Sequence, residues 1–149
     1  NESIGLATAH LESYPNDVLL RKEQMMTAFG LLKEFTHSFF TADFNFAEEA
    51  EEGIFPPEFL DCWPNVNKGE PGFTFDDENP VRHDMPDGKR RIDRVLVRSS
   101  TWNPIEAKLL GNEVFIEDNP ELRPSDHYGV AVTLSRQLFT KIQIHPHNF

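Results

Sequence analysis

Cysteine is almost missing from these 149 residues. Cys62 is the single one, so no disulfide can form within the chain. In Phe59-Leu-Asp-Cys-Trp63 it reads as a small buried apolar residue, a usage that suits a reducing, intracellular compartment. Long hydrophobic runs are missing as well. No stretch approaches the roughly 20 apolar residues of a membrane helix, so no membrane partner is expected. The opening Asn1-Glu-Ser-Ile-Gly-Leu-Ala reads as an edge of structure, not as a leader. Internal repeats are absent, and no Gly-rich loop has the Walker spacing; Gly88-Lys89 alone does not make one, which argues against P-loop hydrolysis of nucleoside triphosphates. Positive charge is scarce: 14 Lys and Arg stand against 25 Asp and Glu, a net charge of −11. Such a protein as a whole repels a phosphate backbone. Six of the 14 basic residues nevertheless fall between Arg82 and Arg98, whereas residues 48–61 hold six acids and no Lys or Arg. That local strip suits one docked phosphate better than a long polyanion.

What is present is a soluble, globular composition, with 38% hydrophobic residues, 13 Phe and 2 Trp to fill a core. The length fits one domain. Ile4 to Ala9 is a short apolar strand ending at His10. Asp17 stands as the cap of a helix running to about Phe35, with Leu19, Leu20, Met25 (or Met26), Phe29 and Leu32 inward and Arg21, Lys22 and Glu23 outward. His37 to Phe40 is a buried strand that stops at Asp43-Phe-Asn45. Residues 47–90 are irregular, rich in Pro, Gly and acids, around short segments Phe59–Trp63 and Gly72-Phe-Thr-Phe75; loops this long in a compact domain are usually functional. Strands follow at Arg91–Val97, Leu109–Ile116 and Tyr128–Leu134, with a short one at Lys141–Ile144. The sum is an α/β sandwich whose strand ends carry polar clusters converging on one rim.

Each cluster is weak alone. Asp43-Phe-Asn45 places a carboxylate and an amide two apart, able to face one side and meet a cation and a phosphate; an Asx turn closing a strand is the plainer reading of the tripeptide by itself. Arg91-Ile-Asp-Arg94 buries Ile92 and presents Asp93, as any half-buried strand with solvated charges would. Ser125-Asp-His127 sets an acid beside an imidazole at a strand entrance, either a catalytic pair or a turn. His10 alone is one imidazole at a strand end, His37 lies at a strand start and His83 in a loop. His145-Pro-His147, a terminal pair without Cys partners, is more readily bland than a metal site.

In order, the motifs are specific. Thr8-Ala-His-Leu-Glu-Ser13, Arg21…Gln24, Ala42-Asp-Phe-Asn45, Asp61-Cys-Trp63, Gly72-Phe-Thr-Phe75, Arg91-Ile-Asp-Arg94 and Arg123-Pro-Ser-Asp-His127 resemble the successive motifs of the endonuclease/exonuclease/phosphatase superfamily. Within it, His10-Leu-Glu-Ser13 and the stretch from Phe73 to Arg94 are most similar to the tyrosyl-DNA phosphodiesterase 2 branch. The resemblance implies a DNase I-like α/β sandwich flanked by helices, with residues 1–136 as the C-terminal portion of the domain and 137–149 as a tail. It implies a phosphodiesterase using Mg²⁺ or Mn²⁺ on a nucleic-acid end or adduct. Asp43 would position or deprotonate water, Asn45 and His10 would hold the phosphate, His127 would face it under the influence of Asp93, and Asp126 would stand near the metal.

Three departures accompany the resemblance. Ala42 stands where the family usually has Gly, and Ala9 where it usually has Ser or Thr, a hydroxyl that would reach a substrate phosphate. The family's first half, with an early-strand Asn and a metal-binding Glu, has no counterpart here. A missing N-terminal segment, in cis or in trans, is therefore expected to complete the sheets and the metal site. Sphingomyelinase-like or phosphoinositide-phosphatase chemistry uses the same core, and a non-catalytic interaction module that kept the fold is the alternative of another class.

Overall fold

A computed structural model describes residues 2–46, 49–82, 88–113, 118–119 and 122–137. Strand β1 (Ile4–His10) leads through helix α1 (Val18–Leu32) to β2 (His37–Asp43). A 3₁₀ turn at Glu49–Ile54 precedes the short β3 (Leu60–Asp61), α2 (Cys62–Val66) and a second 3₁₀ turn at Pro80–Arg82. Strands β4 (Asp93–Arg98), β5 (Trp102–Leu110) and β6 (Gly129–Arg136) follow. One sheet has the order β1-β2-β4-β3, with β1 and β2 parallel and β4 antiparallel to its neighbours. Parallel neighbours need a crossover, and α1 is that crossover. Strands β5 and β6 pair antiparallel in a second sheet, and β6 meets β4.

The strands of the larger sheet alternate cleanly, which decides what faces what. Ser38, Phe40 and Ala42 of β2, with Leu96 of β4, are buried against α1. Phe40 meets Phe29 edge to face at 5.5 Å, and Phe29, Phe44, Phe55 and Phe59 extend the aromatic contacts. The opposite face carries Leu6, Phe39 and Val97 at one end, then Thr8, Thr41 and Val95, then His10, Asp43 and Asp93. It grades from apolar to polar toward the strand ends.

Several sequence expectations need correction. Leu19 and Leu20 point to solvent, whereas Arg21 is fully enclosed and continues the buried stripe Met25, Phe29 and Leu32. Residues 21, 25, 29 and 32 share one helical face, and an arginine can occupy it because every donor it carries is satisfied. Asp17 holds the cap position without a side-chain cap bond, and the helix ends at Leu32. There Arg98 donates to the carbonyls of Leu32, Lys33 and Phe35, and Ser38 Oγ donates to Leu32 O at 2.6 Å. Strand β5 starts at Trp102, seven residues before the expected Leu109, since Pro104 was no obstacle: the register breaks between Pro104 and Glu106. Residues 114–116, the strand expected at Lys141–Ile144, the rest of the tail, His83 and the His145/His147 pair lie outside the described residues.

The basic strip does not stand free for a phosphate. Arg91 and Arg94 both donate to Asp61, at 2.7 and 3.0 Å. Lys89 pairs with Asp76 and Glu78, and Arg90 lies over the Phe75 ring at 4.7 Å. Cys62 is buried, its thiol pushed up to about 12 chiefly by burial.

Candidate active site

Three of the expected side chains are neighbours by strand register alone. His10 lies opposite Asp43, and Asp43 lies opposite Asp93, so one row crosses the ends of β1, β2 and β4. His10 Nε2 stands 3.4 Å from Asp43 Oδ2. His127 comes from just before β6 on the other sheet, and its Nδ1 is 2.8 Å from Asp93 Oδ2 and 3.8 Å from Asp43 Oδ2. The tertiary structure thus places two imidazoles around two carboxylates at one rim.

Asp43 and Asn45 form the Asx turn that the tripeptide allowed. Asn45 N–H donates to Asp43 Oδ1 at 2.9 Å, and Asn45 itself has φ +49°. The turn fixes the carboxylate while leaving Oδ2 toward the histidines. Asn45 Nδ2 donates to Leu11 O at 2.9 Å, which ties the amide to the turn after His10. Asp126 stands apart: it is exposed, and Ser125 Oγ donates to its Oδ1 at 3.3 Å. Its charge still acts on His127.

Position 42 takes its methyl without strain. Ala42 packs in the core, and Asn45 is the one positive-φ residue other than glycine among the described residues. Ala9 also packs toward the core, on the face of β1 opposite His10. A hydroxyl there would meet the α1 side of the sheet, which corrects the expectation that it would reach a phosphate.

Electrostatics follow from the crowding. Burial raises the Asp43 carboxyl, and the facing Asp93 charge raises it further, against lowering by the Asn45 N–H and the two histidines. His127 is raised above the ordinary imidazole value, first by its hydrogen bond to Asp93 and then by the charges of Asp93, Asp43 and Asp126, with burial opposing. The result is a carboxylate made more basic beside an imidazole that holds its proton to higher pH than an ordinary one.

Residues to which the sequence assigned no task support this arrangement. Thr74, completely buried, accepts the backbone N–H of Ile92 (3.2 Å) and of Asp93 (3.0 Å) on Oγ1. Phe75 sets its ring against His127 with centroids 5.0 Å apart. Asn79 Nδ2 donates to Ser125 O at 3.2 Å, steadying the turn that carries His127. The signal for Thr74 and Phe75 was the compact Gly72-Phe-Thr-Phe75 motif, visible as a motif but silent about what each side chain would touch; Asn79, outside it, had none.

A divalent cation is compatible with part of this donor set. Asp43, Asp93 and His127 each bring one ligand atom to within 4.8 Å of the others. A hard cation prefers oxygen, and His127 Nδ1 is already bonded to Asp93. The fitting donors are therefore the carboxylates, with the imidazole as hydrogen-bond partner.

Solved structures share this arrangement of chain. TDP2 from D. rerio, determined with a single-strand DNA product, is 27% identical with a TM-score of 0.74, over 87% of this chain and 55% of that one. TDP2 from Caenorhabditis elegans is 22% identical, TM-score 0.71, over 84% and 39%.

In fold the chain is similar to solved members of the endonuclease/exonuclease/phosphatase superfamily.

A superfamily member from Bacteroides thetaiotaomicron, 19% identical with a TM-score of 0.65 over 89% and 50%, repeats the DNase I-like α/β fold. The chain spans about half the length of the structures it matches. No family model and no curated protein matches it.

Proposed function

We propose that this chain carries part of the active site of a divalent-metal-dependent phosphodiesterase acting on a nucleic-acid end or adduct. The observation that carries the reading is the row His10, Asp43 and Asp93 across three strands, closed by His127 on Asp93 at 2.8 Å. Hydrolysis of a phosphodiester requires a base for water and positive charge or donors for the phosphate. Asp43, raised by burial and by Asp93, takes a proton from water more readily than an ordinary carboxylate. His127, kept protonated by Asp93, donates to a phosphate oxygen through Nε2, since Nδ1 is engaged. His10, largely exposed beside Asp43, and the second N–H of Asn45 Nδ2 supply further donors. Mg²⁺ or Mn²⁺ held by the rim carboxylates, with the exposed Asp126 as a further acid beside His127, would neutralise charge developing on the phosphate.

We further propose that a segment beyond residues 1–136 completes this unit, in cis or in trans, with 137–149 as a tail. Ile4 and Leu6 on the inter-sheet face of β1 are 59% and 73% exposed, and β1 is an edge strand among the described residues. Apolar edges of this kind are normally covered.

The test is turnover of bis(4-nitrophenyl) phosphate, and of a single-stranded oligonucleotide bearing a terminal aryl phosphodiester, by the intact protein with Mg²⁺ or Mn²⁺. Activity abolished by EDTA and restored by either ion is expected. Absence of turnover on both substrates would refute the enzymatic reading and leave a non-catalytic module on this fold. Preference for a sphingolipid or phosphoinositide headgroup would keep the chemistry and overturn the substrate class.

A further inference from the structure

Arg21 is the largest completely enclosed side chain of the described residues. Its guanidinium grips Glu51 with two bonds, Nε to Oε2 at 2.9 Å and Nη2 to Oε1 at 3.0 Å. Nη1 donates to the carbonyls of Glu12 (3.2 Å) and Tyr14 (2.7 Å), and Nη2 to that of Pro15 (3.3 Å). All five N–H donors are engaged. A buried ion pair is weak evidence for a stabilising role, because apolar residues of similar volume would fill the same space as well or better. The fork is explained by what it joins.

It joins the two turns that leave the active-site strands. One follows His10 and runs through Glu12, Tyr14 and Pro15; the other, at Glu49–Ile54, follows Asp43 and Asn45 and carries Glu51. The first turn also meets the end of β2 directly at Leu11, whose N–H donates to Asp43 O and whose carbonyl accepts Asn45 Nδ2, both at 2.9 Å. Gln24, one helical turn after Arg21, accepts Glu12 N–H at 2.9 Å. We propose that Arg21 is a positioning residue: through one buried guanidinium, α1 sets where His10 and Asn45 sit relative to each other. Only the kinetic arm of its test rests on the phosphodiesterase reading.

The variants are Arg21→Met combined with Glu51→Met, which removes both charges together so that neither is left facing an empty partner position, at the cost of the donors to the Glu12, Tyr14 and Pro15 carbonyls, and Glu51→Gln, which keeps the volume and part of the fork. Each is studied in the intact protein, at a temperature where circular-dichroism melts show it folded. The double variant is expected to lose about tenfold to a hundredfold in kcat with KM moved by less than about threefold, the scale of a misplaced group. The side-chain amide resonance of Asn45 should shift and broaden in ¹⁵N-correlated NMR spectra, which a role in stability alone would not produce. Glu51→Gln should move both readouts in the same direction by less, and it decides the matter should the double variant not fold. A folded variant with parental kcat and an unmoved Asn45 amide overturns the proposal. If the parent itself shows no turnover, the functional reading fails while the Asn45 resonance still decides the positioning.

Discussion

Asp93→Asn is the sharpest perturbation of this site, because one charge acts on two titrating groups in the same direction. The carboxylate accepts His127 Nδ1–H at 2.8 Å, both side chains being about a fifth exposed at 22% and 23%. A charge-assisted bond of that length contributes roughly 1.5–3 kcal/mol, and partial exposure favours the lower figure. Against it stands the repulsion of Asp43, directly opposite in the register, which costs up to about 1 kcal/mol. The net loss in the variant is about 1 kcal/mol, or roughly 2–4 °C in Tm for a chain of this size. Its pH window follows from the raised imidazole. The contribution is fully present below the ordinary value of 6.5 and is lost as pH rises through the higher folded value. Above that value the ion-pair part of the bond is gone, while a neutral imidazole can still donate Nδ1–H and the Asp43–Asp93 repulsion stays, so the deficit of the variant should shrink as pH rises. Activity follows the same logic. Removing the Asp93 charge lowers His127, so the alkaline limb of the pH–rate profile moves to lower pH. It also lowers Asp43, so the acidic limb moves the same way. Calorimetry at about pH 6 and pH 9, with pH–rate profiles of both proteins, measures all of this. A Tm deficit as large at pH 9 as at pH 6, or limbs that stay in place or move apart, would refute the reasoning.

Four further outcomes are expected. Asp43→Asn should abolish turnover yet raise Tm at neutral pH, since the folded state disfavours this carboxylate; the gain should vanish below the ordinary value of 3.8, where Asp43 is protonated folded or unfolded, and urea titrations at the two pH values would show it. His127→Ala should likewise abolish metal-dependent turnover while changing stability by no more than about 1 kcal/mol; gross unfolding in a circular-dichroism melt would move this residue from the rim to the core. Gly72→Ala should cost about 2–4 kcal/mol in denaturant titrations, because a Cβ there lies 2.2 Å from the Trp63 indole at φ +64°, where parental stability would contradict the packing. The 149 residues by themselves should bind Mg²⁺ or Mn²⁺ only weakly in calorimetric titration and associate on gel filtration, given the exposed Ile4 and Leu6; tight stoichiometric binding by a compact monomer would count against a completing segment.

The strands ending at His10 and Asp43, the strand through Asp93 and the buried Cys62 were legible in the sequence because local pattern decides them. Alternation buries Ile92 and presents Asp93 whatever lies above, and a short apolar run before a polar break ends a strand. The Asx turn at Asp43-Phe-Asn45 is equally local, a side chain meeting its own backbone two residues on. What Arg21 does was not legible. Its partners lie 30 residues away in Glu51 and on carbonyls of a preceding turn, and no helical periodicity signals that a charge on the inner face will find acceptors. The same holds for the basic strip, where Asp61 claims Arg91 and Arg94 from 30 and 33 residues away. The order of motifs pointed to a site but could not bring His127 to Asp93, 34 residues apart and on different sheets. That contact exists because β4 and β6 meet across the layers, and distances between layers are set by packing of the whole core, which a one-dimensional pattern does not contain.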